Sequence, residues 1–323
     1  FYNGNFSNPN LKWEETKAYN VGLDLSFLDN RIEFIVDAYL KKTDNLLMQA
    51  SLPSYIVNND YMGISAPWVN TGAIENKGVE FTLNTVNISN KDLQWRTGIT
   101  FSLNRNKITK LNSESAALFG TIGNDTYTIS QVGSPVGQFY GYNVIGMFTC
   151  EDDFYKKNSL GEFMIDANGQ KIPVARPAEY DSSTKTWKTY DIATNSVWVG
   201  DYIFEDVNKD GKITSADRKY IGDPNPDFTF GLNNTLRWKN FELTLFFNGS
   251  VGGDIYNLVR QQHTNTQRYS NLMAYVSDYA RVALIDPNGS PTDISNVYVT
   301  NPTTARVQRI SSAGSSMTAL ICG

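Results

Sequence analysis

The 323-residue sequence is poor in the residues that build most metal and catalytic centres. It has two cysteines, Cys150 and Cys322, and one histidine, His263. Two cysteines make no disulfide framework and show no metal-ligand spacing. His263 has no nucleophile or ligand at a motif distance and reads as an ordinary loop histidine. No apolar run reaches the roughly 18 residues of a membrane helix. The opening FYNGNFSNPN lacks the charged and apolar regions of a signal peptide, so the chain starts as a fragment would. Basic clusters are absent and the formal net charge is −5, which argues against nucleic acid as a partner. Glu151 and Asp152 are adjacent acids in a polar loop. Glycoside hydrolysis needs a set carboxylate separation, which adjacency does not supply, and the expectation is that the chain is not an enzyme.

What the sequence has is aromatic and apolar content, 13% and 41%, enough for one large or two ordinary ordered domains. Its dominant pattern has period two. Tyr19, Val21, Leu23, Leu25 and Phe27 are apolar, while Asn20, Gly22, Asp24 and Ser26 between them are polar or small. That alternation makes a strand with one apolar face. After a turn signal at Asp29 and Asn30 it repeats through Ile32, Phe34, Val36, Ala38 and Leu40, which closes a hairpin. A second hairpin runs through Val79, Phe81 and Leu83, turns at NISNKD, and returns through Trp95, Ile99, Phe101 and Leu103. A third uses Phe228, Phe230, Leu232, Leu236 and Trp238, turns at Lys239 and Asn240, and returns through Phe241, Leu243, Leu245 and Phe247.

A soluble sandwich would show the same alternation, so connection lengths arbitrate. The turns inside hairpins are a few residues, whereas the connections between them run from about 42 to 76 and from about 105 to 226, far beyond the usual few residues. Short turns on one side and long loops on the other are the pattern of a transmembrane β-barrel. Spans at 17–28, 31–41, 77–87, 93–104, 227–238 and 241–250 would put every long connection on the outer face. Tyr19, Trp95, Trp238 and Phe241 sit at strand ends, where an interfacial girdle or ordinary end packing would place them.

The stretch EDVNKDGKITSADRK follows the spacing of a calcium loop. Asp206, Asn208 and Asp210 alternate as oxygen donors, Gly211 takes the sharp turn, Lys212 would offer its carbonyl, Thr214 stands at the ninth position and Asp217 closes at the twelfth. Asp in place of the usual closing Glu implies a tighter loop or a single-oxygen contact, hence modest affinity for a structural Ca2+. The flanks are strand-like and carry Pro224 and Pro226, so no helix pair surrounds it. A solvated Asp-rich turn without an ion is the competing reading.

With these elements in place, NPNLKWEETKAYNVGLDLSFLDNRI, YLKKTDNLL, IENKGVEFTLNTVN, GSPVGQFYGYNVIGMF and GDYIFEDVNKDGKITSADRKYIGDPNPDFTFGLNN resemble the C-terminal half of the barrel in SusC/RagA-type TonB-dependent transporters, over residues 8 to about 257. The resemblance implies an all-β, antiparallel transmembrane barrel in the outer membrane of Bacteroidetes, of about 22 strands when complete. It also implies an N-terminal plug, a SusD-like surface lipoprotein as lid, energy from TonB, and import of oligosaccharides or, in some members, peptides. The calcium-like loop would then stabilise an outer excursion.

The expected organisation is a partial barrel over 1–257, with an outer excursion at 105–226 that holds loop 206–217, and then an outer loop and atypical tail at 258–323. No TonB box, plug or upstream barrel half is visible, and about six spans are too few for the implied barrel, so the chain alone would not transport. TARVQRISSAGSSMTALICG loses alternation, as a truncated or frame-shifted product would, or a natural short variant. Tyr55, Tyr61, Trp68, Tyr140, Tyr142, Trp187 and Trp198 could stack on sugars or pack the loops and the lid. The other functional class is a secreted, calcium-stabilised adhesin or binding module, which would bury the apolar strand face rather than give it to lipid.

Overall fold

The computed structural model describes residues 8–49, 67–111, 117–122, 125–264 and 271–310. In chain order the strands begin with β1 (Glu15–Phe27), β2 (Ile32–Gln49), β3 (Trp68–Ser89), β4 (Leu93–Lys110), β5 (Ala117–Ile122), β6 (Asp125–Gln131), β7 (Gln138–Gly141) and β8 (Val144–Met147). They continue as β9 (Arg176–Asp181), β10 (Thr186–Thr189), β11 (Tyr202–Phe204), β12 (Lys212–Ile213), β13 (Lys219–Gly222), β14 (Phe228–Trp238), β15 (Phe241–Val251), β16 (Val282–Leu284) and β17 (Val297–Val299). A short helix, α1, spans Leu258–Thr264. The chain divides into two compact units, one of residues 1–139 with 222–254 and one of residues 140–221 with 255–323.

The first unit is built on a six-stranded antiparallel sheet in the order β1-β2-β3-β4-β14-β15, the three hairpins read from the alternation. Its turns are tight. Leu28, Asp29 and Asn30 take φ of 54°, 55° and 63°, and Lys239 takes 50°. Asp and Asn tolerate this left-handed region best among residues with a side chain, which is why the DN signal marks the first turn. The sheet is open at β1 and β15, an arc of a barrel wall.

The strands run farther out than the alternation does. β2 and β3 continue to pair from Lys41↔Asn76 to Gln49↔Trp68, across an irregularity at Asn45, and β4 extends to Lys110. The expected outer connections at 42–76 and from 105 therefore begin and end as paired strand. Apolar alternation stops where lipid stops, whereas backbone N–H and C=O groups need partners in either medium.

The second unit has short strands and a packed core. β8 pairs with β11, β9 pairs with β10 and, in parallel, with β12, and β16 pairs with β17. Phe148, Phe154, Val197, Trp198, Val199, Ala280, Val297 and Val299 form one buried cluster. Phe148 and Phe154 stack with ring centroids 4.0 Å apart. Residues from 140–221 and from 255–310 share this core, so the described part of the expected outer loop at 258–323 is packed structure. The tail from 311 lies outside the described residues.

Arg309 ties that segment down. Its Nε donates to Asp201 Oδ1 at 2.9 Å and Nη2 to Oδ2 at 3.1 Å, while other guanidinium N–H groups reach the Thr194 and Ser196 carbonyls. Burial pushes the Asp201 carboxyl above its usual range, and the Arg309 guanidinium and the Trp198 N–H pull it back.

Candidate functional site: a lipid-directed sheet and an Asp-rich loop

Strand register sorts the first unit's side chains into two faces. Leu25, Phe34, Leu83, Ile99, Leu232 and Phe247 form one continuous row across all six strands. Above it lies Leu23, Val36, Phe81, Phe101, Phe230 and Gly249. Phenylalanine rings link these rows, with Phe34–Phe81, Phe81–Phe101 and Phe101–Phe228 centroids 6.3, 6.0 and 5.0 Å apart. Gly249 is small because the Phe230 ring covers it: an added Cβ would lie 2.8 Å from that ring. The apolar face stays exposed, with Val21 at 76%, Leu23 at 55% and Phe247 at 57%.

The reverse face is polar. Gly22, Asp37, Glu80, Ser102, Thr229 and Ser250 form one of its rows. Asn84 donates to Glu33 at 3.0 Å, and Tyr39 donates to Asn104 at 3.1 Å. An apolar outside and a hydrogen-bonded polar inside match a barrel wall between lipid and lumen. Phe246, 66% exposed, departs from the alternation on the polar face of β15.

Near the short turns, Trp95 and Trp238 lie on the apolar face, and Trp238 stacks on Phe241 with centroids 6.2 Å apart. Tyr19, 62% exposed, stands at the other end of that face. Alternation passed over one feature, a polar row on the apolar face. Thr97 Oγ1 donates to Asn234 Oδ1 at 2.7 Å, Trp95 Nε1 donates to the same oxygen at 3.1 Å, Asn87 donates to Thr97 at 2.8 Å and Thr85 to Asn87 at 3.0 Å. The links Asn87–Thr97, Thr97–Asn234 and Trp95–Asn234 cross between neighbouring strands and Thr85–Asn87 lies within β3, so each of these side chains has a hydrogen-bond partner in an apolar setting. The NN pair at 233–234 was the sequence signal for it, visible only once Asn234 was placed opposite Thr97.

The Asp-rich loop lies in the second unit. Asp206 accepts from Asp210 N at 3.1 Å and Gly211 N at 2.9 Å; Asn208 Oδ1 accepts from Asp210 N at 3.0 Å; Asp210 Oδ1 accepts from Lys212 N at 2.9 Å. Gly211 has φ +81°, the left-handed geometry expected at the sharp turn. Asp217 is fully buried and reaches back to the start of the loop, accepting from Val207 N at 3.0 Å and Thr214 N at 2.8 Å. Thr214 caps the short 3-10 turn Ser215–Asp217. At the base Glu205 accepts from Lys219 and Asn143, and the Lys219 hydrogen bond leads in holding its carboxyl below the usual range.

The loop thus brings Asp206, Asn208, Asp210, Lys212, Thr214 and Asp217 into one hydrogen-bonded turn. Among the described residues no group of three or more His, Cys, Asp or Glu side chains is set to hold a metal by itself. An ion here would need Asn208 Oδ1, the Lys212 carbonyl and Thr214 Oγ1 beside the carboxylates, the mixed oxygen set that suits Ca2+.

Two of the other aromatics singled out in the sequence are engaged in core packing. Trp198 is in the main core of the second unit, and Tyr142 joins Phe204 and Ile213 in a smaller one. Trp68 opens β3 at the edge of the described segment, Tyr140 is half-buried, and Tyr55 and Tyr61 lie outside the described residues. Trp187 remains exposed, in a T-shaped contact with Tyr180. A His263 ring nitrogen lies 2.6 Å from the Asn271 carbonyl, and Asp152 pairs with Lys157 at 3.6 Å. Among the described residues no helix is long and apolar enough to cross a membrane, which says nothing of strands.

Comparison with known proteins agrees with this geometry. The family described as TonB dependent receptor-like, beta-barrel matches residues 1–285. TonB-dependent receptor P3 of Formosa agariphila is 37% identical over 256 residues, 78% of this chain and 22% of that protein. TonB-dependent receptor SusC of Bacteroides thetaiotaomicron is 26% identical over 94% of this chain and 26% of its own length. The chain thus spans about a quarter of these relatives. A structure of the RagAB peptide transporter shares the fold with a TM-score of 0.58 at 21% identity, over 84% of this chain and 25% of that one. The open six-stranded arc, its apolar outer face and these matches together show that the chain belongs to the TonB-dependent receptor β-barrel family, as part of an outer-membrane barrel.

Proposed function

We propose that this chain is the wall and outer-loop segment of a TonB-dependent importer of oligosaccharides or peptides that works with a SusD-like lipoprotein lid and draws energy through TonB. The observation that carries the reading is the exposed apolar face that runs unbroken across six strands, with a polar face behind it. A soluble adhesin would cover such a face with a second layer. The polar face carries amides, hydroxyls and carboxylates, among them Asn84 hydrogen-bonded to Glu33 and Tyr39 to Asn104, which fit passage of a hydrated solute, and transport is the activity this reading assigns. The glycan reading rests on the resemblance carried by the sequence motifs, the peptide reading on that resemblance and on the RagAB peptide transporter's fold, and both would use the same wall.

Topology tests this directly. In the outer-membrane protein that carries this segment, with Cys150 and Cys322 changed to Ser, an impermeant thiol reagent on intact cells is expected to label Lys209→Cys and to leave Asn30→Cys unlabelled until the outer membrane is opened. Equal labelling of both sites in intact cells would overturn the orientation.

For the Asp-rich loop we propose a structural Ca2+. In support, the six positions keep the required spacing and Gly211 makes the turn that spacing demands. Asp206, Asn208, Asp210 and Thr214 would offer side-chain oxygens, Lys212 its carbonyl, and Asp217 would close the loop. The ion would supply charge neutralisation for three carboxylates in one tight turn. Affinity is expected on the order of 10⁻⁴ to 10⁻³ M, as in extracellular modules where the ion is plentiful. Calcium is expected to slow proteolysis between residues 202 and 227, and Asp206→Ala and Asp210→Ala to abolish that protection while the barrel still inserts. Cleavage indifferent to calcium, chelator and both substitutions would leave only a hydrogen-bonded turn.

A further inference from the structure

The charges on the lipid-directed face are sorted by depth. Between the middle row and the short turns, that face carries no ionisable side chain on any of the six strands. Toward the outer end, the two rows just above the apolar band carry five cations, Lys17, Lys42, Lys77, Arg105 and Lys107, and a single acid, Glu75. All five cations are exposed.

Their register is costly without a partner. Lys17 stands directly opposite Lys42, and Lys77 directly opposite Arg105. Like charges in such cross-strand positions, with Cβ atoms about 5 Å apart, destabilise the pair. Protein carboxylates answer part of this charge: Glu75 is 3.1 Å from Lys42, Asp227 is 3.2 Å from Arg105 and Glu15 is 3.4 Å from Lys17. Glu15 faces Asp44 one row farther out. Lys77 and Lys107 have no ion pair among the described residues.

We propose that this rim binds the phosphate groups of a phosphorylated glycolipid in the outer leaflet. The inference rests on the outer-membrane orientation given above and names what that surface meets. The cations continue the apolar band without a break: Lys77 follows Val79 on β3, and Arg105 follows Leu103 on β4, two residues along the same face. Acyl chains lying against Val79 and Leu103 would therefore bring their headgroup phosphates level with Lys77 and Arg105. A phosphate bridging two opposed cations converts their repulsion into shared attraction. The opposite end of the face ends in Trp95, Trp238 and Phe241 instead, which suits an interface without a concentrated layer of phosphate.

The test uses the intact outer-membrane protein that carries this segment, reconstituted in phosphatidylcholine nanodiscs. A fluorescent bis-phosphorylated glycolipid, its dephosphorylated form, phosphatidylglycerol and inorganic phosphate serve as probes. The variant is Lys17→Gln/Lys77→Gln/Lys107→Gln, which spares Arg105 because it also holds the Asp227 and Pro226 carbonyls. Lys41→Gln, at the same height on the polar face, is the control. Each Lys near an anionic surface contributes about fivefold, so the triple variant is expected to lose at least about tenfold in affinity for the phosphorylated glycolipid. The control is expected to match wild type, and the dephosphorylated lipid to bind all three forms equally weakly.

Unchanged affinity in the triple variant would overturn the proposal. So would equal retention of phosphatidylglycerol, which marks general adsorption of anionic lipid, or competition by millimolar inorganic phosphate, which marks a free-phosphate site. Normal insertion with unchanged binding removes the rim alone; failure of wild type to insert removes the membrane reading with it.

Discussion

Phe247→Arg is expected to abolish barrel insertion, while Asn248→Arg, the next residue, leaves it nearly intact. Phe247 belongs to the row of Leu25, Phe34, Leu83, Ile99 and Leu232. That row lies halfway between the level of Lys77 and Arg105 and the level of Leu93, Trp238 and Phe241, so it is the midplane of the apolar band. A cation there costs about 2–4 kcal/mol, against about 0–1 kcal/mol near an interface. Phe241→Arg, at the turn end of the same strand and the same face, should therefore be tolerated. Asn248 pairs with Gly231 on the polar face, where an Arg side chain remains hydrated. Heat-modifiable mobility of the protein extracted from outer membranes reads the folded fraction. If Phe247→Arg and Asn248→Arg insert equally, the two faces have been exchanged; if Phe241→Arg is as damaging as Phe247→Arg, the band is centred elsewhere.

The second large effect concerns the Asp201–Arg309 pair. Both side chains are 11% exposed, and the guanidinium also satisfies the Thr194 and Ser196 carbonyls. Removing one partner of a buried pair leaves an uncompensated charge and costs about 3–5 kcal/mol. Asp201→Leu and Arg309→Leu are each expected to loosen the second unit by that amount, seen as faster hydrogen exchange through residues 194–204 in the assembled protein. The double variant should cost clearly less than the sum, because neither charge is then left alone. Additive losses below about 1 kcal/mol would put the pair in the class of exposed ion pairs and remove it as an anchor for the chain after residue 300.

Much of the wall was legible because a strand between lipid and water is forced to alternate. The three hairpins, their turns and their outward side chains could be read from positions such as Val21, Phe81 and Phe247. Strand ends could not, since β2 and β3 keep pairing beyond Leu40 and before Val79, where the face that was apolar carries Lys42, Glu75 and Lys77 and the alternation stops. The Asp-rich loop was legible as spacing, and the structure adds how Asp217 closes it, buried against Val207 and Thr214. Loop aromatics were not legible in role. Trp187 and Trp198 are alike in sequence, yet Trp187 is exposed on a hairpin while Trp198 is buried beside Phe148 and Val199.

By itself, the amino-acid order determined the class of the protein, the strand-by-strand choice of face and the position of the turns, since these follow from local alternation and backbone preference. Only the tertiary structure decided which residues stand opposite one another. Register put Asn234 beside Thr97 and Trp95, set Lys17 against Lys42 and Lys77 against Arg105, and joined Asp201 to Arg309 across more than a hundred residues. The physical reason is that pairing across strands and closure of a core are fixed by hydrogen bonds and packing between distant segments, and no local window of sequence contains both partners.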